Sequence, residues 1–323
     1  MPRPALPTLS VIVPARNEAR NLEIVLPYLP ADAEIVLVDG HSTDDTVAVV
    51  RRLRPDAVVL TQTRRGKGNA LACGFAAATG DVIVMFDADG SADPHEIPAF
   101  VAALVAGADV AKGTRFARVG DAEAGSEDIT LLRNLGNAGL NGLANLALRT
   151  RYSDLCYGYN AFWRDVLEVL DLPALDLAGP ADRMVWGDGF EIETLLTCRF
   201  SLAGLEITEV ASIERERIHG VSNLRTFADG LRVLRTLGRE CAPRARRRPA
   251  RRVAVMATAA RTAIVPLAIV PDLSAAPVEA QPAVQSPTES PAQPAAQPAA
   301  QPTTQPTTRP TTRPTTADRP LAA

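Results

Sequence analysis

Short apolar runs alternate with amphipathic segments of helix length from the first residues of the chain, a rhythm that predicts βαβ units and a mainly parallel sheet. Strands are expected at 9–13, 34–38, 57–60 and 82–86, with helices at 19–26, 43–53 and 68–78 between them. A helix over 94–106 and a fifth strand at 110–113 extend the series. Ser42 or Thr43 would cap the second helix, with acids in its first turn. Past residue 115 the rhythm loosens into a polar loop at 119–128, a long helix over 131–148 and a Gly and aromatic segment at 157–162. A helix containing residues 191–198, a strand at 206–213 and a last helix near 227–237 complete the expected domain.

Composition divides the 323 residues into three parts. Residues 1–242 have ordinary globular character and are long enough for one sizeable core. Residues 271–323 are rich in Pro, Thr, Ala and Gln, with a four-residue period over 292–316. Such a tail cannot bury enough apolar surface to offset its ordering entropy, so disorder is expected. Between them, 243–270 opens with a basic cluster at 244–252 and continues as an apolar stretch carrying Arg261 and Pro266. A central Arg costs roughly 2.5–3.5 kcal/mol on insertion scales. A membrane-surface segment, a marginal transmembrane span and an unstructured basic linker therefore all stay open. The formal net charge of −3 speaks against nucleic acid as a partner. Cys73, Cys156, Cys198 and Cys241 lie far apart without a CxxC pair, the pattern of small buried side chains in a reducing compartment. With no charged, apolar and cleavable segment at the start, a cytoplasmic domain is expected, with peripheral attachment to the cytoplasmic membrane open.

The chemistry gathers where strands end. Asp87 and Asp89 follow the fourth strand at i and i+2, a spacing that puts both carboxylates on one face for a hard cation such as Mg²⁺ or Mn²⁺. An acidic turn is the structural alternative. Open α/β sheets bind ligands outside the carboxyl ends of their strands, so Pro14, Asp39 and Asp87 would share one rim. Glu18 follows the first strand, Asp39 opens an acidic turn after the second, and Arg64-Arg65-Gly66-Lys67-Gly68 offers glycines and cations for phosphate. That last loop is not a Walker A motif, and no G-x-G-x-x-G follows the first strand.

Taken in order, VIVPARNEA at 11–19, VDGHSTDDT at 38–46, RRGKGNALACGFAAATGDVIVMFDADGSADP at 64–94 and KGTRF at 112–116 closely resemble the family 2 glycosyltransferases. The likeness continues through RNLGNAGLN at 133–141, DLCYGYNAF at 154–162 and ERIHGVSNL at 216–224, and within the family it points to the dolichol-phosphate (polyprenyl-phosphate) mannosyltransferase-like group. The resemblance implies a GT-A fold, a Rossmann-like α/β nucleotide-sugar-binding sheet, and inverting hexose transfer from a GDP-mannose-like or UDP-glucose-like donor to a lipid phosphate. By position, Pro14, Ala15, Glu18, Asp39 and Ala88 would contact the donor nucleotide, with Lys67 nearby. Asp87 and Asp89 would hold the metal and diphosphate, with Ser91 beside them. Arg115, Arg133, Asn137 and His219 fall where acceptor or phosphate contacts are made, and Arg217 lies in a loop closing over the diphosphate. The group commonly has Lys where this chain has Asn223, and often Ser where it has Asn137.

A phosphate acceptor is already anionic and needs no general base. A hydroxyl acceptor would need one, and Asp188 and Glu191 are then the candidates, with helix capping as their structural alternative. A nucleotidyltransferase would open with a Gly-rich basic signature where PARNEA stands. A non-catalytic nucleotide-sugar binder would not require both Asp87 and Asp89.

Overall fold

Apolar runs without polar interruption become strands covered on both faces, as parallel strands are. The computed structural model describes residues 3–116, 118–119, 122–123, 125–126, 131–179, 184–220, 226–242 and 262–265; at 118–126, 131–135, 137, 226–229 and 262–265 only the backbone is described. All belong to one unit, Met1–Leu273. Strands β1 (Leu9–Ala15), β2 (Glu34–Asp39), β3 (Val58–Thr61) and β4 (Val82–Met85) are joined by helices α1 (Ala19–Val25), α2 (Thr46–Leu53) and α3 (Lys67–Ala77). They lie parallel in the order β3-β2-β1-β4. The chain thus winds outward from β1 to β3 and then returns to the other side of β1. That reversal opens a crevice at the carboxyl ends of β1 and β4.

Helix α4 (Ile97–Val105) leads to β5 (Val110–Thr114). The expected polar loop contains three two-residue strands: β6 (Arg118–Val119) pairs with β7 (Ala122–Glu123), and β8 (Gly125–Ser126) pairs with a later strand. After α5 (Leu131–Leu148) comes β9 (Asn160–Trp163), which inserts antiparallel between β4 and β5. Helices α6 (Leu167–Leu170) and α7 (Ile192–Leu202) precede β10 (Ile207–Ala211), parallel to β5. β11 (Ile213–Glu214) is the partner of β8, and α8 (Thr226–Glu240) packs on α5 and α7. Four residues of the basic and apolar segment, β12 (Thr262–Val265), extend the sheet beside β10. The rest of 243–270, and the tail at 271–323, lie outside the described residues.

Three expectations need correction. β9 was not anticipated within the Gly and aromatic segment, because four fully buried residues show no alternation to betray a strand. Helix α2 starts at Thr46, and neither Ser42 nor Thr43 caps it. Asn17 intervenes: its N–H donates to Ser42 Oγ and its Oδ1 accepts from Thr43 N–H, which ties the turn to the end of β1 instead. The strand expected over 206–213 is broken at Ser212, whose hydroxyl turns to Glu96.

The core fills both sides of the sheet. Phe162 meets Phe75 edge-on at 5.5 Å and Phe200 at 5.6 Å, while Tyr159 packs between Phe86 and Phe100. Each fully buried side chain of this size contributes about 1.5–3 kcal/mol. Helix α3 comes closest to the sheet at Gly74, where a Cβ would stand 2.2 Å from Ile12 Cγ2 and 3.2 Å from Val38 Cγ2. Ile12 and Val38 are fully buried and have nowhere to go. Gly74→Val should therefore cost about 3 kcal/mol through overpacking, read as a lower urea midpoint. An unchanged midpoint would contradict this close approach.

Candidate active site at the carboxyl ends of the strands

The end of β1 and the turn after β2 are built as one unit. Ala15 C=O accepts from Gly40 N–H at 2.8 Å, beside Pro14, and the Asp39 carboxylate accepts from Ser42 N–H at 3.2 Å. Asn17 and His41 both take left-handed φ values, 58° and 60°, which sharpen the two turns. Glu18 donates its N–H to Thr46 Oγ1 at 2.9 Å, while its carboxylate takes Asn21 on one oxygen and Arg217 on the other at 2.7 Å. Glu18 is thus committed to holding the Arg217 loop.

Asp87 and Asp89 stand where the sequence puts them, just beyond β4, with buried Ala88 between. Each is matched by a cation from elsewhere in the chain. Lys67, the first residue of α3, reaches Asp87 at 2.8 Å, and Arg217 reaches Asp89 at 3.0 Å. Ser91 donates both its N–H and its hydroxyl to Asp89, at 3.0 and 2.7 Å. The Arg217 loop is laced to the acid turn: Ile218 N–H donates to Asp89 C=O, Arg215 N–H to Ser91 C=O, and Asn21 to His219 C=O. Gly90, at φ 80°, leaves room for Ile218, whose Cδ1 would lie 2.4 Å from a Cβ there.

Glu193, which sequence reasoning missed, completes this cluster. Its carboxylate lies 2.6 Å from Lys67 Nζ. Burial works against the Lys67 charge, but Asp87 and Glu193 outweigh it and hold the ammonium above its ordinary range. Burial likewise raises Glu193, with Lys67 opposing. The available signal was its position in the first turn of α7, two residues past Glu191.

The other expected residues lie differently. Asp188, with its side chain 1% exposed, forms a two-pronged ion pair with Arg64 at 2.7 and 2.9 Å. Arg64 also donates to the carbonyls of Ala174, Leu175 and Leu177. Glu191 accepts from Gly187 and Gly189 N–H groups at 2.9 and 3.3 Å. Asp188 and Glu191, the candidate bases, thus both help to shape one loop, Asp188 through Arg64 and Glu191 through Oε1. That loop carries the start of α3, since Asn69 N–H donates to Asp188 C=O and a Cβ on Gly68 would sit 2.0 Å from Gly187 C=O. Arg115 is gripped by Asp154 at 2.7 and 3.0 Å and by Glu214 at 2.9 Å, over the Tyr157 ring. Its charge is balanced within the protein by those two carboxylates. The side chains of Arg133 and Asn137 lie outside the described residues.

A cation at this rim would find hard oxygen donors in Asp87, Asp89 and Ser91. Among the described residues no group of three His, Cys, Asp or Glu side chains could hold a metal unaided. Further oxygens would have to come from a ligand, an arrangement Mg²⁺ commonly uses with phosphates.

Comparison with known proteins agrees with this picture. Residues 10–170 match the model of glycosyl transferase family 2. A polyprenol monophosphomannose synthase of Mycolicibacterium smegmatis is 33% identical over 233 residues, 69% of this chain and 82% of that protein. An uncharacterized glycosyltransferase of Mycobacterium tuberculosis is 40% identical over 107 residues, 33% of this chain; the matched stretch spans about half, 48%, of that relative's length. Among solved structures, glucosyl-3-phosphoglycerate synthase from M. tuberculosis, in complex with Mn²⁺, UDP and phosphoglyceric acid, superimposes with a TM-score of 0.54 at 25% identity. The match covers 73% of this chain and 79% of that one. Sheet order and rim define a GT-A fold. The chain belongs to glycosyl transferase family 2, as its motifs led one to expect.

The strap that bears Arg217 is anchored by Glu96, which accepts from Ser212 Oγ and from Ile213 N–H at 2.9 Å. Burial pushes the Glu96 carboxyl up to about 7 from its ordinary 4.5, opposed by those two hydrogen bonds and reinforced by Asp93. The native state therefore keeps a proton that the unfolded chain gives up. This stabilisation is full below about pH 4.5 and is lost as pH rises through about 7. Measured by urea unfolding, the stability of the wild type relative to Glu96→Gln should decline across that window. A flat difference would contradict the assignment.

Proposed function

We propose that this chain transfers a hexose from a nucleotide sugar, GDP-mannose-like or UDP-glucose-like, to a polyprenyl-phosphate-type acceptor, with inversion, at the Asp87 and Asp89 rim. The observation that carries this reading is the 33% identity to a polyprenol monophosphomannose synthase across 82% of that protein. Mg²⁺ or Mn²⁺ suits the donor set of Asp87, Asp89 and Ser91, and the glucosyl-3-phosphoglycerate synthase solved with Mn²⁺ and UDP supports such a cation. Bound there, the cation would offset charge developing on the departing diphosphate.

Each step then falls to residues of this chain. Pro14, Ala15, Ala88 and the Asp39 turn are the residues we assign to the nucleoside. Lys67 and Arg217 flank the acid pair and would donate to the diphosphate oxygens, and His219 travels with Arg217 on the same loop. The acceptor phosphate oxygen attacks the anomeric carbon as that carbon's bond to the diphosphate oxygen breaks. Because the phosphate is anionic, no base is needed. Arg133 and Asn137, in the first two turns of α5, are the residues we assign to the acceptor phosphate. The occupied carboxylates of Asp188 and Glu191 weigh against a hydroxyl acceptor. Among the described residues no helix is long and apolar enough to cross a membrane. The basic cluster at 244–252 would instead draw the domain to an anionic lipid surface, at about 1 kcal/mol per basic residue.

The test is transfer from radiolabelled GDP-mannose and UDP-glucose, with Mn²⁺ or Mg²⁺, with and without a polyprenyl phosphate. Product is expected only with metal and lipid phosphate together, and Asp89→Ala should lower the rate by roughly 10²–10³-fold. Transfer that survives chelation, or that prefers a sugar hydroxyl, would overturn the proposal.

A further inference from the structure

Lys67 stands between two carboxylates of different character. Asp87, 2.8 Å away, belongs to the open rim, with its side chain 36% exposed. Glu193, 2.6 Å away, belongs to the first turn of α7 and is half as exposed, at 18%. The ammonium itself is largely covered. Both groups pack close to Gly158, where a Cβ would lie 2.5 Å from Glu193 Oε1 and 3.4 Å from Lys67 Nζ. The lysine is within reach of both carboxylates and can shift its weight from one to the other.

This geometry matters once a divalent cation competes for Asp87. An ammonium and a dication on the same carboxylate repel one another, and a covered ammonium needs an anion beside it. We propose that Glu193 is a positioning residue that takes Lys67 over from Asp87 when the cation binds, and so sets the metal affinity of the rim. The inference rests on the metal-dependent reading above. In this arrangement Lys67 keeps a partner in both states and stays beside the diphosphate position. Without the Glu193 carboxylate, Lys67 has Asp87 as its remaining short ionic partner among the described contacts, and must be displaced by the metal outright. The requirement falls on Glu193 through its contact with Lys67.

The discriminating experiment titrates Mn²⁺ by electron paramagnetic resonance with saturating UDP or GDP, on the full chain. Wild type, Glu193→Gln, Glu193→Asp and the double variant Lys67→Met with Glu193→Gln are compared, with thermal melts to verify folding. Glu193→Gln should bind Mn²⁺ about tenfold more weakly. Glu193→Asp, which keeps the charge, should stay within about threefold of wild type. The double variant removes the competing ammonium as well and should regain most of the loss. Wild-type affinity in Glu193→Gln would overturn the proposal, as would a double variant no tighter than the single one, the pattern of a merely structural glutamate. Should Glu193→Gln fail to fold, equal losses in Glu193→Asp and the double variant would overturn it. A wild type that binds no Mn²⁺ with either nucleotide would overturn the metal-dependent reading itself, and this inference with it.

Discussion

Balancing the charge of two carboxylates at the end of a buried strand is the constraint on which the rest of the site depends. Asp87 and Asp89 project from the same end of β4, and like charges so close destabilise one another unless cations are supplied. The chain brings those cations from well-separated parts of its sequence, Lys67 from α3 and Arg217 from the loop after β11. Glu18 and Glu193 then steady the two cations in turn. The result is two sets of ion pairs, Asp87–Lys67–Glu193 and Asp89–Arg217–Glu18.

Much of the surrounding architecture reads as support for that arrangement. Lys67 can begin α3 because Gly66, at φ 127°, and Gly68 let the backbone press against the 187–188 loop. That loop keeps its shape through the buried Arg64–Asp188 pair and the Glu191 carboxylate. Breaking one member of such a buried pair costs about 3–5 kcal/mol, because the survivor is left charged and unpaired. Arg217 is positioned from the other side by Glu96, the Asp93–Arg215 pair and the hydrogen bonds to the acid turn. Residues far apart in sequence are thus recruited to hold an ammonium and a guanidinium within about 3 Å of two carboxylates.

The sheet and rim were legible in the sequence where a local signal existed. Periodicity marked β1 to β5, and strand-end placement marked Asp39, Asp87 and Asp89, because a strand's face and end are properties of a few adjacent residues. What escaped depends on distant partners. β9 is a four-residue run that becomes a strand only between β4 and β5. Asp188 and Arg115 each have an ion-pair partner that spacing does not reveal: Arg64 lies 124 residues from Asp188, and Asp154 lies 39 from Arg115. Glu193 was overlooked for the converse reason. Nothing local distinguishes an acid in a first helical turn from a cap until Lys67 is seen beside it.

On the proposed reading, the acid pair of β4 is where a diphosphate and its cation are held together. Calorimetric binding of UDP and GDP, with and without Mn²⁺, on wild type and Asp87→Asn tests it most directly. At least one nucleotide should bind measurably only when Mn²⁺ is present, and should lose that dependence together with its affinity in Asp87→Asn. Equal binding with and without the metal, unaffected by the substitution, would contradict it.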